Sequence, residues 1–238
     1  MCGRFLLTSP VAALAQAFRV RGEHTVPPRY NIAPGQPILT ERLADQDSGT
    51  GTAVGARDLV AMEWGLVPQW MKDRPTSRPM INSRAETVAE KPAFRGAYRH
   101  RRCLVPADGW YEWQVQPRGP KQPYLLTATD EPRLPLAFAG IWERWHGPGG
   151  DDWLETVAIL TRPAISTLDH IHDRMPLVLA PDGIEAWLDG DRPDPAALAL
   201  DDPVAFTARP VSRRVNAVKN DDADRKSTRL NSSHVCSS

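Results

Sequence analysis

Cys2, the second residue of this sequence, is the side chain best suited to covalent chemistry. Because cysteine is small, the initiator methionine can be removed, which would leave a chain that begins Cys-Gly-Arg. Such a terminus carries an amine and a thiol on adjacent carbons, with reference pKa values of about 8 and about 8.5. This pair condenses with an aldehyde, first to a Schiff base and then to a five-membered thiazolidine. From its position alone, Cys2 fits a buried small apolar residue equally well.

Glu112 and His172 are candidate proton carriers for such chemistry. Glu112 lies in a strand-like run, and alternation along a strand places it on the same face as Trp110. Desolvation against an aromatic surface would raise the carboxyl pKa, which suits a general acid and base. His172 stands just before an apolar run and close to Arg174, where loop residues often face a cleft. An exposed strand glutamate and a structural histidine are the alternative interpretations.

The segment INSR brings polar groups to a predicted strand-to-helix turn. The amide of Asn82 can orient a carbonyl or an amine, and Arg84 can hold a phosphate with two hydrogen bonds. A helix cap is the alternative role for Asn82 or Ser83. The segments 30–36 and 64–70 add proline and aromatic walls of the type that stack unpaired bases, although such residues also form cores.

Metal ligands are sparse in the sequence. His170, His172, Asp169 and Asp173 lie close together, but no third anchor follows at a recognised spacing. We therefore expect neither a metal site nor a cofactor.

Composition indicates one soluble globular domain. The 238 residues are 41% hydrophobic and 24% charged, without an apolar run long enough to span a membrane and without a secretory signal. The three cysteines are widely spaced and odd in number, which argues against a disulfide framework. We therefore expect a cytoplasmic, nucleoid-associated protein. The net charge of zero gives no bulk attraction to nucleic acid, although arginines cluster between residues 95 and 102.

The pattern of elements predicts an α+β fold of curved antiparallel sheets with short flanking helices. Ser9 and Pro10 begin a helix through Phe18, prolines make 26–37 a shaped loop, and 44–57 is an exposed hairpin or loop insertion. Strand-like runs follow a first one at CGRFLL; they are Val60–Val67, Cys103–Val105, Gly109–Val115, Tyr124–Ala128, Leu136–Trp142, Thr156–Leu160 and Met175–Leu179. Short helices are expected at Arg84–Glu90, Pro92–Tyr98, Pro163–Leu168 and Gly183–Leu188, the last capped by Asp182 and ended by Gly190.

The end of the chain differs in character from the rest. Residues 223–238 are polar and serine-rich without apolar periodicity. This composition predicts a disordered tail, foreign to the native protein, so that the domain spans residues 2–222 and Cys236 has no role.

The blocks of the sequence, taken in order, resemble one family. They are MCGRF, RYNIAPGQ, WGLVPQW, INSRAET, CLVPADGWYEW, FAGIWE, AILTRPA, IHDRMPLVL and VSRRVNAVKN. Together they are similar to the SOS-response-associated peptidase (SRAP) domain family from Cys2 to about Asn220. The resemblance implies a barrel-like α+β domain that senses and shields abasic sites in single-stranded DNA.

The resemblance also implies roles for individual residues. Cys2 would be the nucleophile, Asn82 would position it and the sugar, Glu112 would donate and accept protons, and His172 would assist proton transfer and reversal of the adduct. The residues implied to contact DNA are Arg4, Arg84, Arg174, Pro34, Trp70, Met71 and Thr161. At Met71 the family often has tryptophan, so one stacking contact should be weaker here.

Three functions follow as alternatives. The first is a monomeric protein that binds single-stranded DNA and crosslinks to abasic sites through Cys2, with a lyase-like activity and with autoproteolysis of the Met1-Cys2 bond as a related step. The second is an N-terminal-nucleophile hydrolase, because Cys-Gly also opens some glutamine amidotransferases. The third is a non-covalent single-strand binding module, which would bind intact and abasic strands equally.

Overall fold

The computed structural model describes residues 2–19, 26–44, 53–74, 79–129, 134–149, 153–202 and 205–223. Its strands are β1 (Phe5–Leu7), β2 (Arg29–Ile32), β3 (Pro37–Leu43), β4 (Arg57–Trp64), β5 (Asn82–Arg84), β6 (Arg102–Ala107), β7 (Gly109–Gln114), β8 (Gln122–Ala128), β9 (Leu136–His146), β10 (Trp153–Pro163), β11 (Arg174–Pro176) and β12 (Phe206–Pro210). The helices are α1 (Val11–Phe18), α2 (Arg95–His100) and α3 (Gly183–Asp189), with 3₁₀ turns at Ala85–Thr87 and Arg213–Asn216.

The strands form two sheets, as the predicted α+β class requires. The first sheet has the order β12-β8-β7-β1-β2 and is antiparallel throughout. The second runs β11-β10-β4-β3-β6-β9, and β9 returns to pair with β10, so five strands close into a barrel. Strand β10 pairs in parallel with β4 and β5, a departure from the purely antiparallel expectation. The fold class and the barrel-like form are confirmed.

An aromatic cluster packs the first sheet against the barrel. Phe5 of β1 contacts Trp64 of β4 edge-on, with ring centroids 5.2 Å apart, and Phe138 of β9 at 6.2 Å. Trp110 of β7 contacts Phe138 at 6.0 Å and Phe206 of β12 at 5.4 Å. Such edge-to-face pairs are favourable beyond the area they bury. The cluster therefore fixes β1 and β7, the two strands that carry the amino terminus and Glu112, relative to the barrel.

The proline-rich segment 26–37 is not the irregular loop that its composition predicts. Arg29–Ile32 forms β2, and Pro37 is the first residue of β3. Among the described residues, β2 is an edge strand that pairs only with β1, and a proline at the first position of a strand costs no ladder hydrogen bond. Gly35, with φ +78°, makes the turn between these two strands.

Several helices differ from their predictions. Helix α1 ends at Phe18 as predicted but begins at Val11, with Pro10 and not Ser9 at its N-cap and no side-chain capping bond. Helix α3 ends at Gly190 as expected, but Asp182 makes no side-chain capping bond. Only the Ala85–Thr87 part of the second predicted helix is helical. The helix predicted at Pro163–Leu168 is absent: Pro163 ends β10, and turns follow it. The Ala164 backbone N–H donates to the Asp173 carbonyl oxygen, which holds this segment beside the start of β11.

Most predicted strands are present, and some are longer than expected. Strands β9 and β10 extend as a hairpin beyond their apolar runs, pairing as far as His146 with Trp153. Strands β3 and β12 were not predicted. Strand β12 is short and half-exposed and, in the described part of the chain, pairs with β8 alone, so its sequence needs no apolar run. Residues 44–57 were predicted to be an exposed hairpin or loop insertion. The Ala44 N–H donates to the Ala56 carbonyl oxygen and so continues the pairing of β3 with β4, while residues 45–52 lie outside the described ranges.

The predicted tail spans residues 223–238, and all of it after Ala223, including Cys236, lies outside the described part of the chain. Across the residues that the structure does describe, no helix combines the length and the apolar character that membrane crossing demands.

Gly109 at the start of β7 provides a test of this packing. A Cβ atom added there would lie 2.3 Å from the Leu126 carbonyl oxygen and 2.9 Å from Thr127 Cγ2 on β8. We expect Gly109→Ala to lower the free energy of unfolding by about 2 kcal/mol or more, measured by urea denaturation, because backbone atoms must shift. Gly149→Ala is the matched control; a Cβ there meets no atom within 4 Å, so its effect should stay within about 0.5 kcal/mol. Equal stability of the two variants would contradict the close approach of β7 and β8.

Candidate active site

Cys2 lies at the junction of the two sheets. Its side chain is completely buried and belongs to the main hydrophobic core. The strand that follows it, β1, pairs with β7, and the Arg4 carbonyl accepts a hydrogen bond from the Tyr111 backbone N–H. The amino-terminal segment therefore runs alongside the strand that contains Glu112.

Asn82 holds the Cys2 main chain from the barrel side. As the first residue of β5 it pairs with Ile159 of β10, and its Nδ2 donates to the Cys2 carbonyl oxygen at 2.7 Å. Its Oδ1 atom is buried without a hydrogen-bond partner among the described residues. An unsatisfied buried acceptor is costly, so this oxygen is suited to bind a donor on a substrate.

Glu112 lies in the middle of β7 with only 2% of its surface exposed. Burial raises its pKa to about 7, while the positive charge of the amino terminus acts in the opposite direction. The fully buried Trp110 lies two residues earlier, and both side chains line the same small recess. The expected desolvation of this carboxyl is therefore present, and near neutral pH the group can both give and take a proton.

His172 faces Glu112 across this recess. Its Nε2 atom is 3.9 Å from Glu112 Oε2, while its Nδ1 atom is 3.0 Å from the backbone nitrogen of Arg174 and 2.8 Å from Asp173 Oδ1. The contact with Arg174 requires Nδ1 to accept, whereas the contact with Asp173 requires it to donate. Burial first, and then the charge of the amino terminus, lower the His172 pKa, and Asp173 is 86% exposed. The neutral ring with its proton on Nε2, directed toward Glu112, is therefore favoured.

The Cys2 thiol is not a thiolate in this environment. Its pKa is raised, first by burial and second by the negative charge of Glu112. Any reaction at this sulfur must therefore include transfer of the thiol proton, and the adjacent carboxyl group is placed to receive it.

Arg174 and Thr161 form a supporting layer behind His172. Arg174 NH2 donates to the carbonyl oxygen of Thr161 at 2.6 Å and to its Oγ1 at 3.1 Å. Thr161 is completely buried, and its hydroxyl also lies 3.4 Å from the Ser83 carbonyl oxygen. In the free protein Thr161 thus fixes Arg174 and β5 instead of facing solvent. Its predicted contact with DNA stays a prediction.

Arg4 is also engaged inside the protein. Its NH1 donates to Asn31 Oδ1 and to the Val215 carbonyl oxygen, each at 2.7 Å, and its guanidinium stacks 5.8 Å from the Trp113 ring centroid. Asn31 was not among the residues predicted from the sequence. It is fully buried, and its Nδ2 donates to the carbonyl oxygens of Val215, Ala217 and Asn220. Its position in the RYNIAPGQ block, one of the blocks that resemble the SRAP family, is the feature of the sequence that could have indicated it.

The other predicted DNA-contact residues lie on the surface, and no described hydrogen bond joins them to Cys2. Arg84 is exposed, Pro34 is half-buried beside the Gly35 turn, and Trp70 has 65% of its surface exposed. Met71 is half-buried, and its carbonyl accepts a bond from Trp145 Nε1 at 2.7 Å. A contact of these residues with nucleic acid stays a prediction.

The arginine cluster near residue 100 is largely structural. Arg102 donates to the carbonyls of Tyr98 and Trp187, near the ends of α2 and α3, and Arg101 pairs with Glu143. Within the described ranges, no group of three or more His, Cys, Asp and Glu side chains is arranged to hold a metal ion.

Comparison with known proteins identifies the family. The model of the family described as SOS response associated peptidase (SRAP) matches residues 1–218. The chain belongs to the SRAP family. The resemblance read from the sequence blocks is thereby confirmed.

Two relatives in the SRAP family carry names that describe an activity. The abasic site processing protein YoqW of Bacillus subtilis is 35% identical over 233 residues, which cover 94% of this chain and 98% of YoqW. The abasic site processing protein HMCES of Gallus gallus is 34% identical over 259 residues, which cover 93% of this chain and 76% of HMCES.

Solved structures share the SRAP fold. A phage-related protein from Bordetella bronchiseptica matches with a TM-score of 0.67 at 32% identity, covering 89% of this chain and 95% of that one. A protein from Bacteroides thetaiotaomicron matches with a TM-score of 0.74 at 22% identity, covering 89% and 93% of the two chains. The second likeness supports the fold alone.

Replacement of Glu112 by glutamine should stabilise the protein at pH 8 and have little effect at pH 5. The pKa of this carboxyl rises from 4.5 to about 7 on folding, so the folded state keeps a proton that the unfolded state releases. The free energy of unfolding therefore falls as the pH rises from 4.5 to about 7, and an uncharged amide at residue 112 avoids this loss. We expect a gain of about 1 to 3 kcal/mol at pH 8, measured by urea unfolding.

The wild-type protein alone cannot isolate this effect, because burial also raises the Glu41 pKa to about 7. The informative quantity is the difference between wild type and Glu112→Gln at each pH. A difference that is the same at pH 5 and pH 8 would contradict a desolvated Glu112.

Proposed function

We propose that this protein processes abasic sites in single-stranded DNA by forming a covalent bond between Cys2 and the abasic sugar. The observation that carries the proposal is the placement of buried Cys2 between Asn82, which binds its carbonyl at 2.7 Å, and Glu112, whose pKa is about 7. The names of two relatives support abasic sites as the substrate.

The first requirement is removal of Met1. This step frees an α-amine on the Cys2 Cα, next to the thiol, with a reference pKa of about 8, so a useful fraction is neutral at physiological pH. It is a proteolytic event at the Met1-Cys2 bond, which accords with the word peptidase in the family description. The hydrogen bond from Asn82 then holds the reacting residue in place.

The second step forms an imine. Protonated Glu112 gives its proton to the ring oxygen of the sugar as the bond from that oxygen to C1′ breaks. A water molecule takes the proton of the C1′ hydroxyl, which leaves an open-chain aldehyde and a Glu112 carboxylate. The Cys2 amine attacks C1′, and loss of one water molecule gives the Schiff base. A carboxyl group with a pKa of about 7 is matched to this exchange of protons.

The third step closes the ring. The Cys2 sulfur bonds to C1′, and the thiol proton passes to the imine nitrogen, either directly or through the Glu112 carboxylate. Because burial and Glu112 raise the thiol pKa, the sulfur enters as a thiol and its proton must be carried. The product is a thiazolidine, which resists hydrolysis better than an open imine and so blocks strand cleavage.

His172 resupplies Glu112 with the proton that the carboxyl group gave to the sugar. Its neutral ring directs Nε2 toward Glu112 at 3.9 Å. When Nδ1, which lies 2.8 Å from Asp173 Oδ1, takes up a proton from solvent, the Nε2 proton can pass to the Glu112 carboxylate after ring closure and the ring stays neutral. The same contact allows the reverse reaction, in which the thiazolidine reopens and the adduct is released.

Binding of the strand itself is assigned to the partly exposed basic and aromatic residues. Arg84 and Arg174 would neutralise phosphates without reading sequence, and exposed Trp70 would stack an unpaired base. Half-buried Met71 in the neighbouring position would stack less strongly.

The test is a crosslinking assay with a single-stranded oligonucleotide that contains one abasic site. Wild type should give a band that survives denaturation and heat, and Cys2→Ala should abolish it, because no thiazolidine can form without the sulfur. Glu112→Gln should slow its formation about 100-fold, a typical loss for a general acid.

Two controls sharpen this assay. Cys103 is the other described cysteine and is equally buried, so Cys103→Ala should crosslink like wild type. An oligonucleotide with a tetrahydrofuran site, which has no aldehyde, should give no band. An undiminished band with Cys2→Ala would refute the proposal, and turnover of glutamine would favour an amidotransferase-like hydrolase instead.

A further inference from the structure

Glu86 forms an ion pair with Arg174 that the proposed chemistry does not use. Glu86 lies in the 3₁₀ turn directly after β5. Its Oε1 accepts from Arg174 NH1 at 2.5 Å and its Oε2 accepts from NH2 at 3.0 Å. Two parallel bonds of this kind are also the way in which a guanidinium binds a phosphate.

The remaining sides of the Arg174 guanidinium are closed to a ligand. NH2 is also bonded to the carbonyl and hydroxyl oxygens of Thr161, and the Nε atom is buried. Only 14% of the Arg174 side chain is exposed. The edge formed by NH1 and NH2 is therefore where a phosphate can bind with two hydrogen bonds, and Glu86 occupies that edge.

Glu86 has room to leave this position. Its side chain is 45% exposed, and it lines a cavity of about 450 Å³ together with Tyr98, Arg162 and Arg192. Arg162 pairs with Asp201, which is 69% exposed, and exposed ion pairs are weak. The two arginines of this cavity can thus stabilise the Glu86 carboxylate after it separates from Arg174.

We propose that Glu86 is a specificity-determining residue whose carboxylate occupies the phosphate position on Arg174 until a DNA strand displaces it. The inference rests on the proposed function, because it takes Arg174 as a phosphate ligand. Its consequence is a lowered affinity for undamaged single strands, so that lasting capture depends on the covalent bond at Cys2. The hydrogen bond from Arg174 lowers the Glu86 pKa, so the competing carboxylate stays ionised at neutral pH.

The test measures non-covalent binding of Glu86→Gln to an intact, fluorescent single-stranded oligonucleotide by anisotropy. The variant should bind about three- to tenfold more tightly than wild type, because a neutral amide competes poorly with phosphate. The slope of log affinity against log salt should steepen by about 0.7, the value for one additional phosphate on a single strand. Glu90→Gln is the matched control: it removes the same charge from an exposed residue nearby that does not bind Arg174, so its slope should equal that of wild type.

The outcomes separate this inference from the proposed function. Equal or weaker binding by Glu86→Gln, or the same gain in Glu90→Gln, would overturn it and leave Glu86 as a residue that merely positions Arg174. If thermal unfolding shows that Glu86→Gln does not fold, Glu86→Asp replaces it. The shorter side chain should bind Arg174 less well and give a smaller gain in affinity for the intact strand. No gain in affinity would overturn the inference. Crosslinking of abasic DNA by the wild-type protein tests the proposed function independently. If the wild type crosslinks and Glu86→Gln binds intact DNA with unchanged affinity, only the inference about Glu86 is overturned.

Discussion

Amino termini usually lie in solvent, yet residue 2 of this chain is completely buried where the antiparallel sheet meets the barrel. Water is excluded from the thiol, so its pKa rises, and the carboxyl group beside it responds in the same direction. A neutral thiol next to a neutral acid is a stable arrangement in a core, whereas a thiolate next to a carboxylate is not. The burial therefore sets the protonation states from which any reaction at Cys2 must start.

The rest of the fold brings three distant segments to this residue. Strand β7 carries Glu112, β5 carries Asn82, and the turn before β11 carries His172. The edge-to-face aromatic contacts fix the first of these against the barrel, and the pairing of β5 with β10 fixes the second. Behind these groups, Arg174 donates two hydrogen bonds to Thr161, while its Nε atom is buried without a hydrogen-bond partner among the described residues.

The sequence predicted the class of the fold and singled out Cys2, Asn82, Glu112 and His172, but it did not predict their arrangement. Apolar runs marked most strands. Strand β3 lacked that signal because its buried residues include Thr40, Glu41 and Arg42, and the edge strand β12 lacked it because it is half-exposed. Asn82 and Cys2 are 80 residues apart, and their hydrogen bond depends on closure of the barrel. Burial of Thr161 could not be predicted, because alternation along a strand does not reveal which face is enclosed. The ion pair of Glu86 with Arg174 could not be predicted either, because it joins residues 88 positions apart.

The most direct test of the account is mass spectrometry of the N-terminal peptide from protein crosslinked to an abasic oligonucleotide. The peptide should begin at Cys2, carry the sugar with the loss of one water molecule, and resist alkylation at sulfur, since a thiazolidine uses both the amine and the thiol. A peptide that retains Met1, or one whose Cys2 sulfur is still alkylated while the sugar is attached elsewhere, would contradict the central claim that both groups of residue 2 react.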